Sequence, residues 1–145
     1  VSDAFDLQRF VDAQDGDGTY SAALAELRAG AKRSHWMWFV FPQVAGLGRS
    51  ATAQHYAISG AAEACAYLAH PVLGPRLRES ARALTDLGTT DPVRVLGGID
   101  AQKLRSSMTL FAAVSDEPVF AQVLDQYFGG ARDDATTSRL TPTPS

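Results

Sequence analysis

Glycine, proline and capping residues cut this chain into lengths that suit only short helices. A spaced stripe at Leu7, Phe10, Val11 and Gln14 follows Asp6, a candidate N-cap. Thr19 reads as the cap of a second helix, with Tyr20, Leu24 and Leu27 on one face and Gly30 as the stop. Ser50, Ser59, Asp91-Pro92, Asp100, Asp116 and Asp134 each open a further helical pattern. Pro71, Gly88, Gly97-Gly98 and Gly129-Gly130 close them. Sustained period-2 alternation and an internal repeat are both missing, which argues against a sheet, a solenoid or a coiled coil. The expected class is all-α, an irregular array of about seven or eight short helices.

One segment breaks the pattern. Residues 35–43 read His-Trp-Met-Trp-Phe-Val-Phe-Pro-Gln, aromatic throughout and without a clean period. Pro42 keeps Phe41 out of the helical region. A short strand and an irregular buried segment both satisfy this stretch.

The 145 residues fit one domain, expected over 4–140, with a disordered tail at 141–145 whose Thr-Pro-Thr-Pro-Ser has nothing to bury. A hydrophobic fraction of 46% can fill a core without a disulfide or metal staple. The lone Cys65 permits no internal disulfide, and its alanine-rich setting reads as a small packing position. A net charge of -3 makes nucleic acid an improbable partner. No apolar run is long enough for a membrane span, and the acidic start has no basic leader, so a cytoplasmic setting is expected. Arginine outnumbers lysine 11 to 2, as a GC-rich bacterial genome would produce.

Several motifs fail on inspection. Asp15-Gly-Asp-Gly18 resembles part of a calcium loop, but Ala13 and Leu24 stand where carboxylates are required, so it reads as a turn. His35, His55 and His70 lack metal-ligand spacing. No phosphate-loop or dinucleotide glycine pattern occurs, and no nucleophile elbow. Neither a metal nor a cofactor is implied.

Three motifs survive. Lys32-Arg33-Ser34-His35-Trp36-Met37-Trp38 sets cations beside aromatics, a combination that can grip a phosphate and stack a ring. Two tryptophans in so short a run do not easily face one core, so at least one is expected to line a cleft. Gly46-Leu-Gly-Arg49-Ser50 leads into a helix and offers free backbone N–H groups to an anion. Lys103, Ser106 and Ser107 fall on adjoining turns, where solvent-facing serines are the ordinary expectation.

Five segments together carry a family resemblance. They are Phe5-Asp-Leu-Gln-Arg-Phe10, His35 to Gln43, Gly46 to Ser50, Tyr67-Leu-Ala-His-Pro-Val-Leu-Gly74 and Lys103-Leu-Arg-Ser-Ser-Met-Thr-Leu-Phe111. With these the chain resembles a bacterial domain-of-unknown-function family, numbered eighteen-ten, from about residue 4 to 140. The resemblance implies a mainly helical fold and no particular activity. Some members carry the name calpastatin, yet calpain inhibition belongs to disordered, charged, repeated segments, and this chain is apolar and unrepeated. Family motif residues map onto Arg9, Gln14, Trp36, Trp38, Pro42, Gln43, Gly48, Ser50, Tyr56, His70, Lys103 and Ser106.

Two functional readings follow. In the first, a basic and aromatic pocket binds a phosphate-bearing or other anionic small molecule, nucleotide-like in character. Arg9, Arg49 and Lys103 would hold the anion, and Trp36 or Trp38 would stack a ring. Gln43, Ser50 and Ser106 would orient the ligand, with His35 as the acid or base if any chemistry occurs. The second reading is a protein-interaction module that presents the Trp36–Phe41 segment to a protein partner.

Overall fold

The computed structural model describes residues 3–140 of the chain. The expected tail at 141–145 lies outside the described residues. The helices, in order, are α1 (Gln8–Asp15), α2 (Thr19–Ala29), α3 (Met37–Val40), α4 (Ala51–His55), α5 (Ala61–Ala69), α6 (Leu73–Thr85), α7 (Pro92–Leu96), α8 (Gly98–Val114), α9 (Pro118–Phe128) and α10 (Asp134–Leu140). Among the described residues the only β pairing is one isolated parallel bridge, Val44 to Ile58. The all-α expectation holds.

Some helix ends follow the expected chemistry. Ser50 Oγ accepts from the Ala53 N–H, and Asp91 accepts from the Val93 and Arg94 N–H groups. Gly30 and Gly129 end α2 and α9 in the left-handed conformation, which glycine adopts without a Cβ penalty. Other caps fall elsewhere than expected. Asp3, not Asp6, takes the first N–H groups of α1, those of Leu7 and Gln8. Gly18 rather than Thr19 precedes α2, because Asp17 and Gly18 both turn left-handed after α1. Ser59 donates its own N–H to Glu63 instead of capping α5. Asp100 lies inside the first turn of α8, Ser115 rather than Asp116 accepts from the Glu117 N–H before α9, and buried Asp133 takes the Thr136 N–H of α10.

The long helix α8 lies at the centre and packs against α5, α7, α9 and α10. A ring ladder crosses this core. Phe10 of α1 meets Tyr67 of α5 edge-on at 5.1 Å, Tyr67 meets Phe111 of α8 at 5.4 Å, and Phe111 meets Phe120 of α9 at 5.8 Å. Such pairs add about 0.5–1.5 kcal/mol each beyond area burial. The Tyr67 hydroxyl is buried and donates to the Phe39 carbonyl, while Gln14 donates to both. This ties the aromatic segment to α1 and α5.

That segment is neither strand nor plain coil. Met37–Val40 makes one helical turn, and pairing is then confined to the Val44–Ile58 bridge, where Ile58 N–H donates to Gln43 and Ala45 N–H to Ile58. Cys65 departs from its expected packing role. It is exposed on α5, whose inward face is Glu63, Ala64, Tyr67 and Leu68.

Arg9 fastens these parts. Its five N–H donors are all engaged. Nε donates to the His55 carbonyl, Nη1 to the Phe5 and Asp6 carbonyls, and Nη2 to the Ala57 carbonyl and the Glu63 carboxylate, the last at 2.8 Å. Arg9 and Glu63 are nearly buried side chains, 12% and 4% exposed. Removing one partner of such a pair costs about 3–5 kcal/mol, because the other charge is left stranded. Arg9→Met should therefore lower the urea midpoint by that equivalent at unchanged slope, and Arg9→Lys should recover less than half, since an ammonium cannot reproduce the fork. A loss under about 1 kcal/mol in Arg9→Met would contradict this role.

Candidate functional site

The two tryptophans have different fates. Trp36 is fully buried, and its indole N–H donates to Glu26 at 3.0 Å. Trp38, two residues on, is partly exposed and lines two adjoining cavities. The inner one, about 130 Å³, is walled by Trp38, Gln43, Gly46, Gly48, Gln54 and Tyr56 among others. The outer one, about 420 Å³, is open and carries His35, Thr52 and His55 beside Trp38, Phe39 and Tyr56. The His55 ring stands edge-on against Tyr56 at 4.6 Å. Together they form one cleft with aromatic walls and a glycine-rich end.

A lysine pair lies against the two tryptophans, and one of its members covers the ring that lines the cleft. Lys103 Nζ sits 4.5 Å from the Trp38 ring centroid, and Lys32 Nζ sits 5.2 Å from that of Trp36. Both ammonium groups share one carboxylate, that of Asp100, at 2.9 Å for Lys32 and 3.5 Å for Lys103. All three side chains are largely shielded from water, at 9%, 21% and 18% exposure. Two cations on one carboxylate leave one positive charge uncompensated where solvent screening is reduced.

Loop 33–36 is held by Glu26. Its carboxylate accepts from the Arg33 N–H, from both N–H and hydroxyl of Ser34, and from Trp36. Burial works to raise its pKa, but the Ser34 hydroxyl, the Arg33 and Ser34 amides and the indole outweigh it and bring the carboxyl down to about 2.

The nine sequence candidates separate accordingly. Trp38, Gln43 and His35 line the cleft, and Lys103 covers the Trp38 ring. Arg49 is exposed on the glycine-rich loop, its carbonyl taken by Gln54 and its guanidinium without a hydrogen-bond or ion-pair partner among the described residues. Ser50 is engaged as the α4 cap. Arg9 is behind the cleft: it holds the carbonyls of His55 and Ala57 and has no N–H left for a ligand. Trp36 has no exposed face to stack on. Ser106 is buried and donates to Gln102 and Asp133, part of the network that docks α10. Ser107 is also buried rather than solvent-facing, and its hydroxyl finds no partner among the described residues. Arg9, Arg49 and Lys103 thus do not meet as three free cations.

The interaction-module reading needs the Trp36–Phe41 segment at the surface. Trp36, Met37, Phe39, Val40 and Phe41 are all buried, so the segment presents only Trp38.

Two participants were not legible in the sequence. Asp100 reads there as a cap, and only the fold brings Lys32 to it across nearly half the chain. Arg139, near the end of α10, reaches the loop: a Cβ built on Gly46 would lie 2.3 Å from its Nη1. Gly46 also has φ +97°, so the backbone favours glycine there, while the Arg139 guanidinium would have to move aside for any Cβ. Among the described residues no cluster of His, Cys, Asp or Glu has the geometry of a metal site, and no helix is long and apolar enough to cross a membrane.

Two measurements check this geometry. Acrylamide should quench Trp38 and spare Trp36, so Trp38→Phe should leave only poorly quenched emission; equal quenching of both rings would refute the assignment. Glu26 has a folded pKa below its ordinary 4.5, so its stabilising contribution is present above that value and lost as pH falls toward about 2. Across that window the melting temperature of wild type should fall more steeply than that of Glu26→Gln, and parallel curves would refute the role.

The fold is shared with a solved structure. It is the crystal structure of the conserved hypothetical protein Rv1873 from Mycobacterium tuberculosis, 47% identical, with a TM-score of 0.93 over 97% of this chain and 100% of that one. No curated protein matches the chain. The family model described as a protein of unknown function, DUF1810, matches residues 4–140, and the chain belongs to that family.

Proposed function

We propose that this protein binds a small anionic molecule carrying a planar ring, phosphate-bearing or carboxylate-bearing, in the Trp38 cleft. The observation that carries this reading is the Lys32–Asp100–Lys103 triad, short of one negative charge and set against the cleft's accessible tryptophan. A net charge held away from water is costly, and an anion arriving at Lys103 would offset it. The ring would stack against Trp38 or Tyr56. Gln43 would supply orienting hydrogen bonds from the inner cavity, and Arg49 and Arg139 would add positive charge at the glycine-rich end. The outer cavity, about 420 Å³, falls within the usual range for small-molecule sites.

Thermal unfolding with a panel of nucleoside monophosphates, sugar phosphates and aromatic carboxylates tests this. A ligand at one hundred times its dissociation constant stabilises the fold by about 2.7 kcal/mol. For a domain of this size that raises the melting temperature by several degrees, at roughly 2–4 °C per kcal/mol. The shift should shrink to near zero in both Lys103→Ala and Trp38→Ala, while sugar phosphates without a ring shift it less. No shift with any ring-bearing anion, or a shift unchanged in Lys103→Ala, would overturn the reading.

A further inference from the structure

A second, larger cavity lies elsewhere, in the groove between α2 and α6. It measures about 740 Å³ and shares no lining residue with the Trp38 cleft. Its charged lining is Arg28 from α2 with Arg76, Arg78, Glu79, Arg82 and Asp86 from α6 and the turn after it. Four arginines line the groove with Glu79 and Asp86, and two of them are taken by Asp15 and Glu117, so the positive charge still open to a ligand is that of Arg28 and Arg82.

The four arginines are not equivalent. Arg76 is fixed by Asp15 at 2.8 Å and by the Gln14 side-chain oxygen at 3.2 Å, with its guanidinium 4.9 Å from the Tyr20 ring centroid. Arg78 is fixed by Glu117. Arg28 has only a loose contact with Glu79, at 3.7 Å, with both side chains largely exposed. Arg82 makes no hydrogen bond or ion pair through its guanidinium among the described residues, and its field adds to that of Arg78 in holding the Glu117 carboxyl low. One weakly paired cation therefore stands on α2 and one unpaired cation on α6. Two fixed guanidinium groups stand on the α6 wall.

We infer that this groove is an oligophosphate site, in which Arg28 and Arg82 clamp two linked phosphate groups from the α2 and α6 walls. Planar guanidinium forks match phosphate oxygens two at a time, which is why arginine rather than lysine suits such a clamp. Two linked phosphates offer each wall its own pair of oxygens, which a single phosphate does not. Glu79 and Asp86 set the charge requirement: a ligand must carry enough negative charge to draw Arg28 away from Glu79. Between the charged groups the lining is apolar, Pro75, Ala83 and Leu87, so recognition rests on the phosphates.

Calorimetric titration of the full chain with sodium tripolyphosphate, free of magnesium, tests the site. One saturable site is expected, weakening as salt rises. Arg28→Gln and Arg82→Gln should each weaken binding about tenfold with melting temperature unchanged, because both side chains are exposed and support no buried contact. Lys103→Ala should bind as wild type does, which separates this groove from the Trp38 cleft. Inorganic phosphate should bind at least tenfold more weakly, and ATP titrated into Lys103→Ala, whose Trp38 cleft is disabled, should match tripolyphosphate, since this groove holds the phosphates alone. Absent or non-saturating binding would overturn the inference. So would affinity unchanged in Arg28→Gln and Arg82→Gln, or inorganic phosphate binding as tightly as tripolyphosphate.

Discussion

One guanidinium organises the part of this fold that carries the cleft. Arg9 joins the entry to α1, the connection after α4 and the buried Glu63 of α5 through all five of its donors. Two of its acceptors, the carbonyls of His55 and Ala57, belong to residues that wall the cleft on the other side. Glu63 extends the arrangement by accepting the Ser59 N–H just before α5. The connection after α4 is thereby fixed by backbone hydrogen bonds to a charged group, each stronger than a neutral one. The position of Tyr56, between those two carbonyls and packed on Phe10 and Phe39, follows from this clamp.

The helices were largely legible because their signals are local. Ser50, Asp91-Pro92, Gly30 and Gly129 act within one turn of themselves, so spacing alone reveals them. The misplaced caps have two causes. Near Asp6 and Asp116 a neighbouring side chain, Asp3 or Ser115, takes the N–H groups instead, whereas α5 and α8 have Gly60 and Gly97 at the cap position and no side-chain cap, which leaves Ser59 and Asp100 without that role. Residues 35–43 resisted assignment because tertiary contacts decide their path. Gln14 and Tyr67 take the Phe39 carbonyl from a distance, and Glu26 takes the Trp36 indole. Cys65 was misjudged because an alanine-rich helix has a weak apolar face, and composition does not tell which side turns outward.

The candidate site was half legible for the same reason. Basic and aromatic residues within one short run mark a neighbourhood, and Trp38, Gln43 and His35 do lie there. What the run does not reveal is the partition between its two tryptophans, since one reaches the Glu26 carboxylate and the other does not. Nor does it reveal that Arg9 is saturated by the protein itself, or that Lys32 and Lys103 compete for Asp100. Those facts depend on pairings between distant residues. The structure turns a set of polar motif residues into two groups, one that builds the cleft from behind and one that faces into it.

The central claim is that Trp38, beside an undercompensated lysine pair, is the ligand-facing ring while Trp36 is a locked structural one. The two indole N–H resonances of the isotope-labelled protein report on this directly. During titration with a nucleoside monophosphate that stabilises the fold, the Trp38 resonance should move saturably and the Trp36 resonance, held by Glu26, should stay in place. Movement of Trp36 alone, or of neither resonance while the ligand still stabilises the protein, would contradict the account.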